Sequence, residues 1–348
     1  MQDFEDFHDQ DRLHALTELG DEECVDIAFT KPLEPQSLEP QMPERDEDGF
    51  FLDRRQFLEA LAATCAGLLL GSPSYTAEAS SKHPLQYKVN DLVKGMRRQG
   101  LILPSERTSW SVYDFTTGTK LVSINESVPR QAASMIKPFV AQAFFFQASH
   151  SRKVRYTAEV RRVMERMIQK SSNPSTNRLM DIVSRNGSGR GPRDVEAVLK
   201  KYAPGVFQDT RIVEKIPRGG GTYANKASAH DYSRFLYALK HGKLPYSSEI
   251  RRIMRLPNHD RIVAKVPSMP DNIRVCDKTG STARLCGNMG IIEARDRRGR
   301  IHAYTMIGII ERRSRAKNYG RWITRRSDAI RKVSNLVYLE MKDRHNLV

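Results

Sequence analysis

Between Ala133 and Ser149 the chain is apolar on nearly every side that a helix would have, with Phe144-Phe145-Phe146 near its centre. A helix without a polar face has to be enclosed by protein, so the segment Phe139 to Ser149 predicts a buried central helix. Its apolar stripe is core rather than a cofactor box. Two polar residues stand at the start of the run, Ser134 and Lys137. Three apart, they share one helix face about a turn from each other. Pro138 falls just inside the helix start, where a missing amide proton is tolerated. A serine hydroxyl is a poor nucleophile until a base takes its proton, and a desolvated lysine can be that base. A serine that opens a helix also sits beside unpaired backbone N–H groups and the positive end of the dipole. Such groups suit a developing oxyanion.

Spacing alone does not select this pair, because Ser314-Arg315-Ala316-Lys317 repeats it; that copy reads as a solvated helix start. Order along the chain does. Ser171-Ser172-Asn173 follows at a predicted helix–loop–helix junction with Asn177 beyond it, and Asp277-Lys278-Thr279-Gly280-Ser281-Thr282 ends a predicted strand. The tripeptide also has decoys, Ser123-Ile124-Asn125 and Ser184-Arg185-Asn186. Taken together, Ser-x-x-Lys, Ser-x-Asn and Lys-Thr-Gly over about residues 105–340 resemble the penicillin-recognising serine hydrolases, the class A β-lactamases and their penicillin-binding relatives.

The resemblance implies an α/β (α+β) fold of the β-lactamase/transpeptidase type: an antiparallel sheet flanked by helices, plus an all-helical subdomain. The separation of 37 residues between Ser134 and Ser171 is shorter than expected for class A enzymes and suggests that this subdomain is reduced. The implied chemistry is acyl transfer. Ser134 attacks a carbonyl after Lys137 takes its proton, and Ser171 relays a proton to the leaving nitrogen. Asn173 orients the substrate amide, and Asn177 completes the match on the substrate side. Lys278 and Thr279 hold a carboxylate, Gly280 lets substrate backbone lie along the strand edge, and the N–H groups of Ser134 and Ser281 form the oxyanion hole. Class A enzymes carry Glu-x-x-Leu-Asn in the loop flanking the site. Here Arg211-Ile212-Val213-Glu214-Lys215-Ile216-Pro217 offers Glu214 without the Leu or the Asn. Glu214 is therefore a candidate deacylating base, set against an exposed charge beside Lys215. The expected substrate is a β-lactam or a D-alanyl-D-alanine-like peptide. Three activities follow: a β-lactamase-like hydrolase, a D-alanyl-D-alanine peptidase acting on peptidoglycan, or a non-hydrolysing penicillin-binding protein. No cofactor is expected, and no His, Cys and carboxylate cluster has metal-ligand spacing.

The remaining elements follow from apolar periodicity. Helices are expected over Leu85 to Arg98, Val154 to Gln169, Pro174 to Val183, Arg190 to Tyr202, Ala229 to Lys240, Ser247 to Met254 and Asn318 to Asp343. Strands are expected over Ser109 to Phe115, Lys120 to Ile124, Arg274 to Thr279, Gly290 to Ala294 and His302 to Ile310. A Gly-rich loop, Asp209 to Tyr223, flanks the site.

Charge divides the chain. Residues 1–50 hold 16 Asp/Glu against 3 Lys/Arg, a net −13, while the rest of the chain carries +29. With Pro32, Pro35, Pro40 and Pro43 and no apolar period, residues 1–50 read as a disordered acidic leader. Asp53-Arg54-Arg55-Gln56-Phe57-Leu58, the apolar stretch Leu61 to Gly71 and Ala77-Glu78-Ala79 resemble a twin-arginine export signal over residues 51–79. The apolar stretch is too short to span a membrane, so no stable span survives processing. Residues 80–348 then form the hydrolase domain, periplasmic or secreted. Its basic charge suits an anionic cell envelope, and no nucleic-acid motif is present. With 13 Phe and 12 Tyr in 348 residues, a sizeable core is expected. Cys276 and Cys286 flank the Lys278 segment, either as free core thiols or as a cross-strand bridge.

Overall fold

The computed structural model describes residues 83–348 except Arg218 and Thr222; the acidic leader and the twin-arginine segment lie outside the described residues. Helix α1 (Pro84–Arg98) buries Leu85, Val89, Val93 and Met96, a single stripe at helical spacing. Strands β1 (Arg107–Asp114) and β2 (Thr119–Ile124) form the expected antiparallel hairpin. Its turn uses Gly118 at φ +67°, a conformation that costs glycine nothing. After β3 (Arg130–Gln131), a 3₁₀ turn over Ala133–Ile136 runs directly into α2 (Lys137–His150). Every residue of α2 from Lys137 to Gln147 is buried, as its uniformly apolar surface requires. Phe139 is packed edge-on or tilted against Phe207, Tyr232 and Phe235, with ring centroids 4.8–5.1 Å away.

Three helices build the subdomain around α2: α3 (Ala158–Gln169), α4 (Asn173–Arg185) and α5 (Pro192–Tyr202). The apolar pattern places the start of α3 at Val154, four residues early. Thr157 sets the true start, because its hydroxyl accepts the N–H of Val160 at 3.3 Å. Val154 is buried in the preceding segment instead. Helix α4 is capped by Ser172, which accepts the N–H of Ser175, and Pro174 lies in its first turn. A loop leads to β4 (Lys226–Ala227), paired with β3, then to α6 (Ala229–Lys240) and α7 (Ser247–Met254).

The chain closes with β5 (Arg274–Thr282), β6 (Leu285–Arg295), β7 (Ile301–Glu311) and α8 (Tyr319–His345). The main sheet has the order β2-β1-β7-β6-β5 with antiparallel neighbours, so β5 is an edge strand. Side chains of β7 alternate between two cores. Ile307 and Ile309 join the cluster around α2, whereas Tyr304, Met306 and Ile310 join the one that includes α1 and α8. Coverage of both faces explains why β6 and β7 run longer than their sequence-predicted cores. Helix α8 is fixed to the entrance of β1 by a buried pair. Arg326 donates to Glu106 Oε1 at 2.7 Å and to Oε2 at 2.9 Å, and Trp322 Nε1 donates to the same carboxylate.

Cys276 and Cys286 are free and buried in different cores. Cys276 pairs with Ile291 and Cys286 with Ser281, which places them five residues apart along the ladder. At ~3.4 Å per residue this separation far exceeds the roughly 7 Å that a disulfide allows between Cα atoms. Burial raises both thiol pKa values, that of Cys276 to about 12. A chain beginning at Ser80 is therefore expected to resist alkylation while folded and to take up two labels once denatured without reductant. A native mass 2 Da below the reduced one would contradict this.

Candidate active site

The 3₁₀ turn that carries Ser134 lies against the β5–β6 ladder, and two glycines make that approach possible. A Cβ at Gly280 would stand 2.8 Å from Met135 Cγ and 3.3 Å from the Met135 nitrogen; one at Gly287 would stand 2.6 Å from Met135 Sδ. The sequence reading gave Gly280 the task of admitting substrate backbone. Its missing side chain also seats the turn that bears the serine. Ala133, immediately before Ser134, takes φ +46°, a strained value for a residue with a Cβ.

Lys137 begins α2 and is fully buried. Its Nζ bonds to Ser171 O, to Ser171 Oγ (3.1 Å) and to Asn173 Oδ1 (3.0 Å). Ser171 is held at φ +57°, so that its carbonyl and hydroxyl both face the amine from a strained backbone. Burial, and then the nearby charge of Lys278, lower the Lys137 pKa to about 6. Near neutral pH the amine has two N–H groups and a lone pair. Two of its three contacts are carbonyl oxygens, and the third is a hydroxyl able to donate to the lone pair. Ser134 is partly buried, and among the described residues no hydrogen bond joins its Oγ to Lys137. In the structure as it stands, the amine is turned towards Ser171 and Asn173.

The loop after α5 covers this group. Gly220, at φ +67°, passes so close to Asn173 that an added Cβ would lie 3.6 Å from its Nδ2. Asn177 uses both ends of its amide on one loop residue: Nδ2 donates to Ile216 O and Oδ1 accepts from Ile216 N, each at 2.8 Å. Glu214 Oε1 accepts the N–H groups of Tyr223 (2.7 Å) and Ala224 (2.8 Å). Lys215 points elsewhere, pairing with Asp181 at 2.7 Å. Asn225, which the sequence did not single out, organises the loop. Its Oδ1 accepts from Val213 and Glu214, its Nδ2 donates to Glu214 O, and its carbonyl accepts from Ala132 beside the 3₁₀ turn.

On β5, Lys278 is buried, with Nζ donating to Thr279 O at 3.1 Å. Burial lowers its pKa; Asp277 opposes that shift, and Arg261 adds to it. The Asp277 carboxylate accepts from Asn258 and Asn288, both at 2.8 Å, and burial with nearby Asp260 raises its pKa. Thr279 and Ser281 are partly buried. Arg261 is the second site residue that sequence reasoning missed. It donates to Ser281 Oγ (2.6 Å), Gly287 O (2.7 Å), Ser327 Oγ (2.8 Å) and Gly280 O (3.4 Å). It is buried and, among the described residues, makes no ion pair with a carboxylate. No local signal marks it, because its partners lie 19 to 66 residues away in sequence. Lys278 and Arg261 thus lie together behind the edge strand, with Asp277 and Asp260 beside them.

The chain resembles known proteins in sequence and in fold. The profile of the beta-lactamase enzyme family matches residues 149–340. Among solved structures, PBP-A aligns with a TM-score of 0.58 at 20% identity, over 74% of this chain and 96% of that one. A PBP-A variant solved as an acyl-enzyme complex with penicillin G aligns with a TM-score of 0.57. A β-lactamase from Desulfarculus baarsii DSM 2075 aligns with a TM-score of 0.58 at 15% identity, over 74% and 98% of the two chains. No curated protein matches the sequence.

The glycine contact gives a measurable coupling. Gly280→Ala should lower stability by about 1–3 kcal/mol through overpacking. Combining it with Met135→Ala, which removes the nearest obstructing atom, should cost less than the sum of the single changes in denaturant melts. Strict additivity would show that the 3₁₀ turn does not bear on Gly280.

Proposed function

The chain belongs to the β-lactamase enzyme family, and we propose that it is an exported active-site-serine acyl-hydrolase that opens β-lactam amides through an acyl-enzyme on Ser134. The observation that carries this reading is the buried Lys137 amine, with its pKa lowered to about 6 and its hydrogen bonds to Ser171 and Asn173. An amine uncharged at neutral pH can accept the Ser134 proton, which its ordinary ammonium form cannot. Ser134 Oγ then bonds to the lactam carbonyl carbon, and the N–H groups of Ser134 and Ser281 hold the oxyanion. As the C–N bond breaks, the proton passes from Lys137 through Ser171 Oγ to the leaving nitrogen. Asn173 orients the substrate amide, with Asn177 fixing the loop beside it. Lys278 and Thr279 receive the substrate carboxylate, and Arg261 adds positive potential behind them.

One observation favours a second reading, in which turnover is slow. Glu214 Oε1 is engaged by the N–H groups of Tyr223 and Ala224, a role that braces the loop. An acyl-enzyme is an ester, and general-base help with its hydrolysis is worth roughly 10²–10⁴-fold. If Glu214 acts mainly as a brace, penicillin adducts persist, as in a D-alanyl-D-alanine peptidase or a penicillin-binding protein.

Intact-mass spectrometry after a penicillin pulse separates these readings. Wild type and Ser314→Ala should gain one penicillin mass, and folded Ser134→Ala should gain none. A label kept by Ser134→Ala would assign the nucleophile elsewhere. On the second reading, deacylation is slow in wild type and little changed in Glu214→Gln. Rapid turnover that collapses in Glu214→Gln would instead make Glu214 the deacylating base. Export is tested separately: replacing Arg54 and Arg55 by Lys should leave full-length protein in the cytoplasm. Unchanged recovery of a periplasmic chain beginning at Ser80 would contradict twin-arginine export.

A further inference from the structure

Helix α2 is apolar on nearly every side, so a polar side chain buried within it calls for a partner. Gln147 is such a residue, with 7% of its surface exposed. Its Nε2 donates to Val183 O of α4 at 2.9 Å. Only the NH₂ end of an amide can donate to a carbonyl, so that bond fixes which end is the oxygen. The oxygen, Oε1, is buried and has no hydrogen-bond partner among the described residues. Gln147 lines a cavity of about 390 Å³ between the ends of α2, α4 and α5.

The cavity lies at the C-terminal ends of the helices that begin at Lys137 and Asn173. Those helices have 14 and 13 residues, so it stands about 20 Å from the amine. Both helices turn the negative end of their dipole towards it. His150 adds an acceptor: its Nδ1 donates to Phe146 O at 2.8 Å, which leaves Nε2 of the neutral ring with a lone pair. Asp194, the acid of the cavity, is already satisfied. It accepts from Ser184 Oγ at 2.8 Å and from Arg190 N at 2.6 Å, and Arg190 Nε lies 3.6 Å away. Lys201 is different. It is exposed, makes no ion pair among the described residues, and rests 5.1 Å from the ring centroid of Tyr202. Tyr202, Val154 and Val198 supply the apolar part of the wall.

We propose that this cavity binds an apolar α-amino acid in its zwitterionic form. The ammonium donates to Gln147 Oε1 under the negative ends of two helix dipoles, and the carboxylate pairs with Lys201. The side chain lies against Val154, Val198 and Tyr202. Each charged end of the ligand thus answers a group that lacks a counterpart in the fold, whereas a simple amine or a simple anion would answer only one. The volume falls in the range of small-molecule sites, roughly 300–1,000 Å³. The binding does not rest on the acyl-enzyme reading, because no step of that chemistry uses these residues.

The test is calorimetric titration of the full chain with both enantiomers of phenylalanine, with phenethylamine and with 3-phenylpropionate. The last two keep the ring and one charge each. The tighter-binding enantiomer should saturate one site with a Kd of about 1 mM or below, and each single-charge analogue should bind several-fold more weakly. Lys201→Gln, a change at an exposed position, should weaken phenylalanine several-fold, to near the affinity of phenethylamine. Gln147→Leu should weaken it to near that of 3-phenylpropionate, with a thermal melt to show that the variant is folded. Absence of saturable binding by either enantiomer would overturn the proposal. So would an analogue that binds as tightly as phenylalanine, which would make the cavity a plain amine or anion site. Phenylalanine binding unchanged in Lys201→Gln would place the ligand elsewhere and overturn it too, and this arm decides even where Gln147→Leu does not fold.

Discussion

An amine kept uncharged inside protein is the condition to which the rest of the structure answers. The desolvation of Lys137 comes from α2, which is enclosed along its buried length, and from the loop held over Asn173. The sign of its effect on stability follows from the lowered pKa. The unfolded chain takes up the proton below 10.5, and the native chain only below about 6. Between these values each unit fall in pH therefore costs the fold about 1.4 kcal/mol. The fold offsets that cost elsewhere: in two cores on opposite faces of the sheet and in buried polar pairs such as Glu106 with Arg326.

The second requirement is that serine and amine be presented to one edge strand. Gly280 and Gly287 let the 3₁₀ turn lie on the β5–β6 ladder, and strained backbone at Ala133 and Ser171 brings hydroxyl, carbonyl and amine together. Asn225 joins the covering loop to Ala132, so the loop and the turn that carries Ser134 share an anchor. Lys278 and Arg261 are buried behind that strand, beside the uncharged amine of Lys137.

Much of this was legible in the sequence because it is local. The all-round apolar surface of α2, the caps and prolines that start α4, and the boundaries of α6 and α7 are properties of short stretches. The contacts among Lys137, Ser171 and Asn173 follow the order of the motifs and the family that the order resembles, not spacing alone. The rest depends on contacts distant in sequence. Thr157 overrides the apolar pattern at the start of α3 with one hydroxyl contact. Arg261 sits in a polar stretch that looks solvated, and only the folded sheet brings Gly287, Ser281 and Ser327 to it. The bracing of Glu214 by Tyr223 and Ala224 could not be read from a stretch that merely lacks the expected Leu and Asn.

The central claim is that Lys137 is a free amine at neutral pH and takes the proton of Ser134. The most direct measurement is the second-order rate of penicillin acylation as a function of pH, in wild type and in Lys278→Ala. The account predicts an acid limb with a midpoint near pH 6, below which the rate falls tenfold per pH unit. In Lys278→Ala the midpoint should move upward, because a neighbouring positive charge that disfavours the ammonium has been removed. A wild-type rate that is flat through pH 6, or that rises only as pH approaches the ordinary lysine value of 10.5, would contradict it.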